Sequence, residues 1–184
     1  VDNRTHFGAQ AYASGKVASY PQVRAVSVTA LPTHLVSDIA FGPYGQNEML
    51  YAKTLIERIA DYSLTVFDRG FLSAEILLGL TMMGEQRHYL IPAKSNTKWE
   101  RLSGTADDCL VRMRVSPQAR AKAPYLPEHW TARAVRMVSA NGKERILLTS
   151  LLDRRRFKAD DLAECYRRRW DIETSYRELK QSML

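Results

Sequence analysis

Residues 158–184, KADDLAECYRRRWDIETSYRELKQSML, contain neither proline nor glycine and predict one long helix. Acidic residues stand at its start and a lysine near its end, which is the order that the helix dipole favours. At about 100° per residue, Tyr166, Arg169, Glu173 and Lys180 share one stripe of this helix. The stripe is a candidate site where an anionic substrate and a divalent metal meet. Ion pairs on a solvated helix face are the general alternative.

Apolar side chains and one further tyrosine cluster on a neighbouring face of the same helix. They belong to Cys165, Ile172, Tyr176, Leu179 and Met183. We expect this face to be buried, so that the polar stripe lies at the rim of the core.

The four polar residues also carry a family resemblance. Their order and spacing resemble the Y-R-E-K signature of bacterial insertion-sequence transposases of the insertion-sequence-four family, and residues 169–173, RWDIE, resemble the R-W-x-I-E core of that signature. The resemblance implies an α/β fold of the ribonuclease-H-like type, with a mixed sheet flanked by helices. It also implies metal-dependent cleavage and transfer of DNA strands by a D-D-E carboxylate triad.

A second motif stands upstream at residues 63–71, SLTVFDRGF. The pattern predicts a short strand that ends at Asp68 and, after Gly70, a largely apolar helix over residues 71–86. Ligands of open α/β sheets bind beyond the carboxyl ends of strands, so Asp68 occupies a site position. The D-R-G-F wording resembles the family's second catalytic aspartate. A simple helix N-cap is the alternative, and the downstream signature favours the functional interpretation.

The resemblance assigns a role to each candidate residue. Asp68 and Glu173 would be catalytic and would bind Mg²⁺, with Mn²⁺ as an alternative, because two-metal cleavage needs carboxylates that hold neighbouring ions. Arg169 and Lys180 would bind phosphates, and Tyr166 would donate a hydrogen bond to a phosphate near the scissile position.

Trp130 is a further candidate DNA contact. Family members use a tryptophan of a β-strand insertion to stack on a flipped base, and Trp130 opens a predicted strand beside a basic loop. A core aromatic is the favoured interpretation, and base stacking is the alternative.

The chain is expected to have three parts. Residues 1–95 would form the first part of the ribonuclease-H-like core without its first strand, residues 96–153 a β-rich insertion, and residues 154–184 the final catalytic helix. Periodicity and turn residues predict strands and one more helix within the first two parts. The strands cover 22–31, 34–41, 88–93, 99–102, 109–115, 130–138 and 145–152, the helix covers 48–62 after an N-cap at Asn47, and loops cover 1–21 and 116–128.

Composition points to a polyanionic partner. The net charge is +7, and two arginine triplets at 154–156 and 167–169 suggest a phosphate-binding surface. Cys109 and Cys165 have neither zinc-site nor disulfide spacing, and no apolar run has membrane-spanning length. A cytoplasmic, nucleoid-associated bacterial protein with no membrane contact is expected.

The predicted function is a transposase catalytic core, or a fragment of one. Its partner would be double-stranded DNA at transposon ends, bound by a homodimer in the synaptic complex. The first catalytic aspartate is expected on a strand before Val1, because Asp2 is interpreted as a loop residue, so the isolated chain is expected to be inactive. The alternatives are a nuclease of the same fold without strand transfer and a non-catalytic DNA-binding remnant.

Overall fold

The computed structural model describes residues 2–139 and 141–170. The chain forms two compact units that divide between Arg58 and Ile59. Glu173 and Lys180 lie outside the described residues, as does most of the predicted apolar face of the last helix.

The first unit is a β-hairpin with two helices. It contains α1 (Asn3–Phe7), β1 (Val23–Thr29), β2 (Val36–Pro43) and α2 (Glu48–Ile56). The two strands pair antiparallel, as predicted, and the Asn47 side chain accepts a hydrogen bond from the Met49 amide at the start of α2, which confirms the predicted N-cap.

Two predictions for this region were wrong in detail. The segment 1–21 was expected to be a loop, but it contains α1, whose N-cap is Asp2. Helix α2 ends at Ile56 and not near Tyr62, and Tyr62 itself takes a left-handed backbone conformation (φ 54°) that a right-handed helix does not contain.

The second unit is built on a six-stranded mixed sheet with the order β3-β4-β8-β7-β6-β5. β3 and β4 pair parallel, and the other neighbours pair antiparallel. The strands are β3 (Ser63–Val66), β4 (Arg87–Pro92), β5 (Glu100–Gly104), β6 (Asp108–Arg114), β7 (His129–Val138) and β8 (Glu144–Thr149). The helices are α3 (Ala74–Met82), α4 (Pro117–Lys122) and α5 (Ala159–Arg167), with a 3₁₀ turn at Arg69–Phe71. This mixed sheet with its helices confirms the predicted fold class.

The core of this unit lies between the middle of the sheet and the helices α3 and α5. α3 contacts β4, and α5 contacts β4 and β7. The apolar cluster beneath α5 joins Leu90, Val135 and Leu147 of the sheet to Leu162 and Tyr166 of the helix. These contacts hold α5 against β4, β7 and β8.

Residues 116–128 were predicted to be a loop, and this was wrong. Ser116 accepts a hydrogen bond from the Ala119 amide and Pro117 takes the first helical position, so the segment begins with α4. The strands of 96–153, predicted as an insertion, pair into the same sheet as β3 and β4, and β8 lies directly beside β4. The proposed boundaries at 95 and 153 stay a prediction. No helix in the described part of the chain has the length and hydrophobicity needed to span a bilayer.

Candidate active site

Asp68 lies at the carboxyl end of β3, as predicted. It occupies the N-cap position of the following 3₁₀ turn, yet its side chain makes no capping hydrogen bond. Its side chain is 61% exposed. The carboxylate is therefore exposed to solvent and is not used as a capping acceptor.

A cleft of about 490 Å³ opens beside this carboxylate. Two carboxylates, four basic side chains and two large aromatic rings contribute to its wall, together with smaller residues. The lining residues are Asp68, Arg69, Pro92, Ala93, Lys94, Ser95, Thr97, Trp99, Lys143, Glu144, Arg145, Ile146 and Tyr166. Cations outnumber carboxylates, which suits a negatively charged ligand.

The topology of the sheet explains why these residues meet. β3 and β4 are parallel, so their carboxyl ends, which lead into Asp68 and Lys94, lie at one edge of the sheet. β8 runs antiparallel to β4, with Leu147 opposite Pro92, so that Arg145 near its start reaches the same edge. Sequence reasoning missed the cleft lysines and Arg145. The strand-end rule that identified Asp68 also applies to the predicted strand 88–93, and would have identified Lys94.

Arg169 lies next to Asp68. Its Nη1 atom is 3.7 Å from an Asp68 carboxylate oxygen, and its side chain is only 14% exposed. The guanidinium carbon also lies 5.6 Å from the centre of the Tyr166 ring. The structure thus brings Asp68, Tyr166 and Arg169 together at the cleft.

Tyr166 differs from expectation in its burial. It is 2% exposed and packs in the apolar cluster beneath α5, while its hydroxyl lies 3.4 Å from Arg145 Nη1. The buried residues of α5 are Leu162, Ala163 and Tyr166. The helical periodicity of the sequence predicted Cys165 on the buried face and Tyr166 at its rim. In the structure Tyr166 is buried, so the buried face of α5 is rotated toward Tyr166. The Tyr166 ring is large enough to fill the space above the sheet.

Of the remaining candidates, Trp130 is within the described part of the chain, and Glu173 and Lys180 are outside it. Trp130 is 8% exposed and its ring centre lies 5.9 Å from that of Tyr89, which places it in the core of the sheet. It does not line the cleft. Its role as a DNA contact stays a prediction, as do the roles of Glu173 and Lys180.

The charges around the cleft are partly balanced within the protein. Glu144 forms an ion pair with Arg136, whose hydrogen bond and charge hold the pKa of the Glu144 carboxyl below its ordinary value. Two arginines of the predicted phosphate-binding triplets are also paired, Arg154 with Asp108 and Arg167 with Glu164. These pairs make the triplets a less open phosphate surface than the sequence suggested.

Of the oxygen ligands at the cleft, one, the Asp68 carboxylate, is suited to a hard divalent cation. Mg²⁺ prefers oxygen ligands and takes few protein carboxylates, and Asp68 offers an exposed carboxylate in the cleft. Glu144 is occupied by Arg136. Among residues 2–139 and 141–170, no group of three or more His, Cys, Asp or Glu side chains could hold a metal. Asp68 therefore fits one ligand position, and the predicted second ligand is Glu173.

Residues 2–184 match the family described as "Transposase DDE domain". The chain is 39% identical over 183 residues to "Transposase InsG for insertion sequence element IS4" of Escherichia coli (strain K12), a match that covers 99% of the chain and 41% of InsG.

A second relative from the same strain, InsZ, is 33% identical over 93 residues, which are 50% of the chain and 31% of InsZ. The chain thus spans less than half of the length of either relative. No solved structure matches it significantly. Because the family match covers residues 2–184, the chain belongs to the DDE transposase family.

Proposed function

We propose that this chain is the catalytic core, or part of the core, of a DNA transposase that cleaves and joins DNA strands at transposon ends. The observation that carries the proposal is the Asp68 carboxylate, which is exposed at a strand end and opens on a cleft with an excess of basic side chains. A DNA strand is a polyanion, and a cationic cleft lowers the free energy of its approach to a carboxylate.

Each residue at the cleft has a definite task in this proposal. Lys94, Lys143 and Arg145 bind phosphate oxygens of the DNA backbone. Arg169 keeps the Asp68 carboxylate oriented through their ion pair. Asp68 holds Mg²⁺ or Mn²⁺ together with Glu173, and Lys180 adds a further phosphate contact. Paired divalent ions, when bound, activate the attacking oxygen and stabilise the leaving oxygen of a phosphodiester.

The family supports a DNA partner, and the assembly is a further part of the proposal. We infer that the substrate is double-stranded DNA at transposon ends, held by a homodimer in the synaptic complex. The net charge of +7 supports a polyanionic partner of this kind.

The test uses a chimera, because the chain spans only 41% of InsG. This chain would replace the aligned segment of InsG, and cleavage and joining of IS4 ends would be measured in Mg²⁺. We expect the chimera to be active, and Asp68→Asn or Glu173→Gln to lower the cleavage rate by more than about a hundredfold. Glu128→Gln is the matched control, because this exposed carboxylate lies outside the cleft and should leave the rate unchanged.

The outcomes separate the alternatives. Cleavage without joining would indicate a nuclease of the same fold. A chimera that binds DNA in EDTA with salt-sensitive affinity, never cleaves, and is indifferent to Asp68→Asn would indicate a non-catalytic DNA-binding protein and would refute the catalytic proposal.

A further inference from the structure

Arg133 of β7 is a charged side chain with no exposed surface. Its Nε and Nη2 atoms donate to the two carboxylate oxygens of Asp108, each at 2.8 Å. Its Nη1 atom donates to the Phe157 carbonyl at 2.6 Å and lies 3.5 Å from the Leu151 carbonyl. All three nitrogens of the guanidinium are therefore used inside the protein.

The two carbonyls belong to one short segment, residues 151–157, which connects β8 to α5. One end of this segment, Leu151, is buried in the core, and the other end, Phe157, packs against the apolar cluster beneath α5. The Nη1 atom of Arg133 thus contacts the Leu151 carbonyl, just after β8, and the Phe157 carbonyl, just before α5.

Asp108 extends the same arrangement to β6. Besides Arg133, it forms an ion pair with Arg154 of the connecting segment, whose Nε lies 3.5 Å from Asp108 Oδ1. Arg154 also donates to the Ser103 carbonyl of β5 at 3.3 Å. The connection before α5 is therefore fixed to three neighbouring strands by charged hydrogen bonds.

A contribution to stability does not by itself explain why the buried Arg133–Asp108 pair is present. Desolvation of a buried ion pair offsets most of its attraction, and apolar residues of similar volume often serve stability as well. A planar guanidinium differs from them because it holds several acceptors in a fixed geometry. What Arg133 supplies is the position of the connecting segment.

That position decides what α5 presents to the cleft. The helix begins at Ala159, directly after the segment, and leads to Arg169, which contacts Asp68. A shift of the segment would move the start of the helix along the sheet and would change the separation of Arg169 from Asp68.

We propose that Arg133, with Asp108, is a positioning residue that sets the placement of α5 against Asp68 and thereby the cleavage rate. This inference rests on the proposed function, since it is strand cleavage that the placement serves.

The test compares Arg133→Lys with Arg112→Lys by hydrogen exchange of the 184-residue chain and by cleavage and DNA binding of the InsG chimera. A lysine keeps the charge near Asp108 but cannot reach Asp108 and Phe157 together. Arg112 is a matched control, because its exposed side chain on β6 pairs with Glu100 of β5 and does not line the cleft.

With Arg133→Lys we expect amide exchange in residues 152–160 to rise about tenfold, with β6 and β7 amides changed by less than about threefold. The cleavage rate should fall about tenfold while the affinity for the DNA end stays within about twofold, a split that general destabilisation would not produce. Arg112→Lys should change none of these quantities.

Unchanged exchange in residues 152–160, exchange that rises evenly over the second unit, or a cleavage loss matched by lost DNA affinity would overturn the inference. If Arg133→Lys does not fold, the same exchange measurement on Asp108→Asn decides, because this variant keeps the Arg133–Phe157 bond and removes one charge. If the unaltered chimera does not cleave, the proposed function fails, and the exchange pattern alone decides whether Arg133 places α5.

Discussion

Tyr166 allows packing and DNA contact to be separated by experiment. The ring is 2% exposed within the apolar cluster beneath α5, and its hydroxyl has one described hydrogen bond, from Arg145 at 3.4 Å. Two substitutions separate the contribution of the ring from that of the hydroxyl. Tyr166→Phe removes the hydroxyl and keeps the ring, and Tyr166→Ala removes both.

The expected magnitudes follow from the contacts. A hydrogen bond of this length contributes little, so Tyr166→Phe should lower the free energy of unfolding by less than about 1 kcal/mol. Loss of a buried aromatic ring leaves a cavity and should cost about 3–5 kcal/mol. With an m-value of about 2 kcal/mol/M, the urea midpoint should fall by less than about 0.5 M for Phe and by about 1.5–2.5 M for Ala.

Tryptophan fluorescence is a suitable signal, because Trp99, Trp130 and Trp170 all lie in the second unit. DNA affinity of the chain would be measured beside it. If the hydroxyl also contacts a phosphate, Tyr166→Phe should weaken binding about fivefold with stability nearly unchanged. Equal destabilisation by Tyr166→Phe and Tyr166→Ala would refute the argument from burial. An unchanged free energy of unfolding in Tyr166→Ala would show that the ring does not support α5.

Three further predictions concern separate parts of the chain. Asp68→Asn should change stability by less than about 1 kcal/mol, since its ion pair is 61% exposed on the aspartate side, and a larger fall in the unfolding midpoint would contradict this. Burial, aided by the charge of Arg156, lowers the pKa of His88, so stability should decline as the pH falls from 6.5 through the lower folded value, and His88→Gln should remove that slope in melts taken down to about pH 5. Gly104 has φ 100° and a Cβ there would meet a backbone carbonyl, so Gly104→Ala should cost about 1–3 kcal/mol by thermal unfolding, whereas Gly45→Ala, with open space around it, should be nearly neutral.

Much of the local structure could be predicted from the sequence. Alternating patterns and turn residues identified the hairpin of β1 and β2, the strand that ends at Asp68, and the later strands β6 to β8. These signals are local, because a strand pattern or an N-cap such as Asn47 involves only residues near one another in the chain. The errors were the end of α2 and the two short helices α1 and α4, which were predicted to be loops.

The composition of the cleft could not be predicted in the same way. Lys143 and Arg145 line the same cleft as Asp68 because β8 pairs with β4, and a strand pattern does not specify its neighbour. Arg133 escaped notice for a related reason. The middle of β7 is buried on both faces, so alternation does not distinguish an inward arginine from an outward one.

Tyr166 and Arg169 have different roles in this fold. Tyr166 is required by packing whether or not its hydroxyl meets DNA, because its ring fills the space between α5 and the sheet. Arg169 follows three residues later, two residues beyond the end of α5, and its side chain is 14% exposed at the edge of the core. There it contacts both the Tyr166 ring and the Asp68 carboxylate. The three-residue spacing in this chain thus joins Tyr166, which packs α5 against the sheet, to Arg169, which contacts the strand-end aspartate.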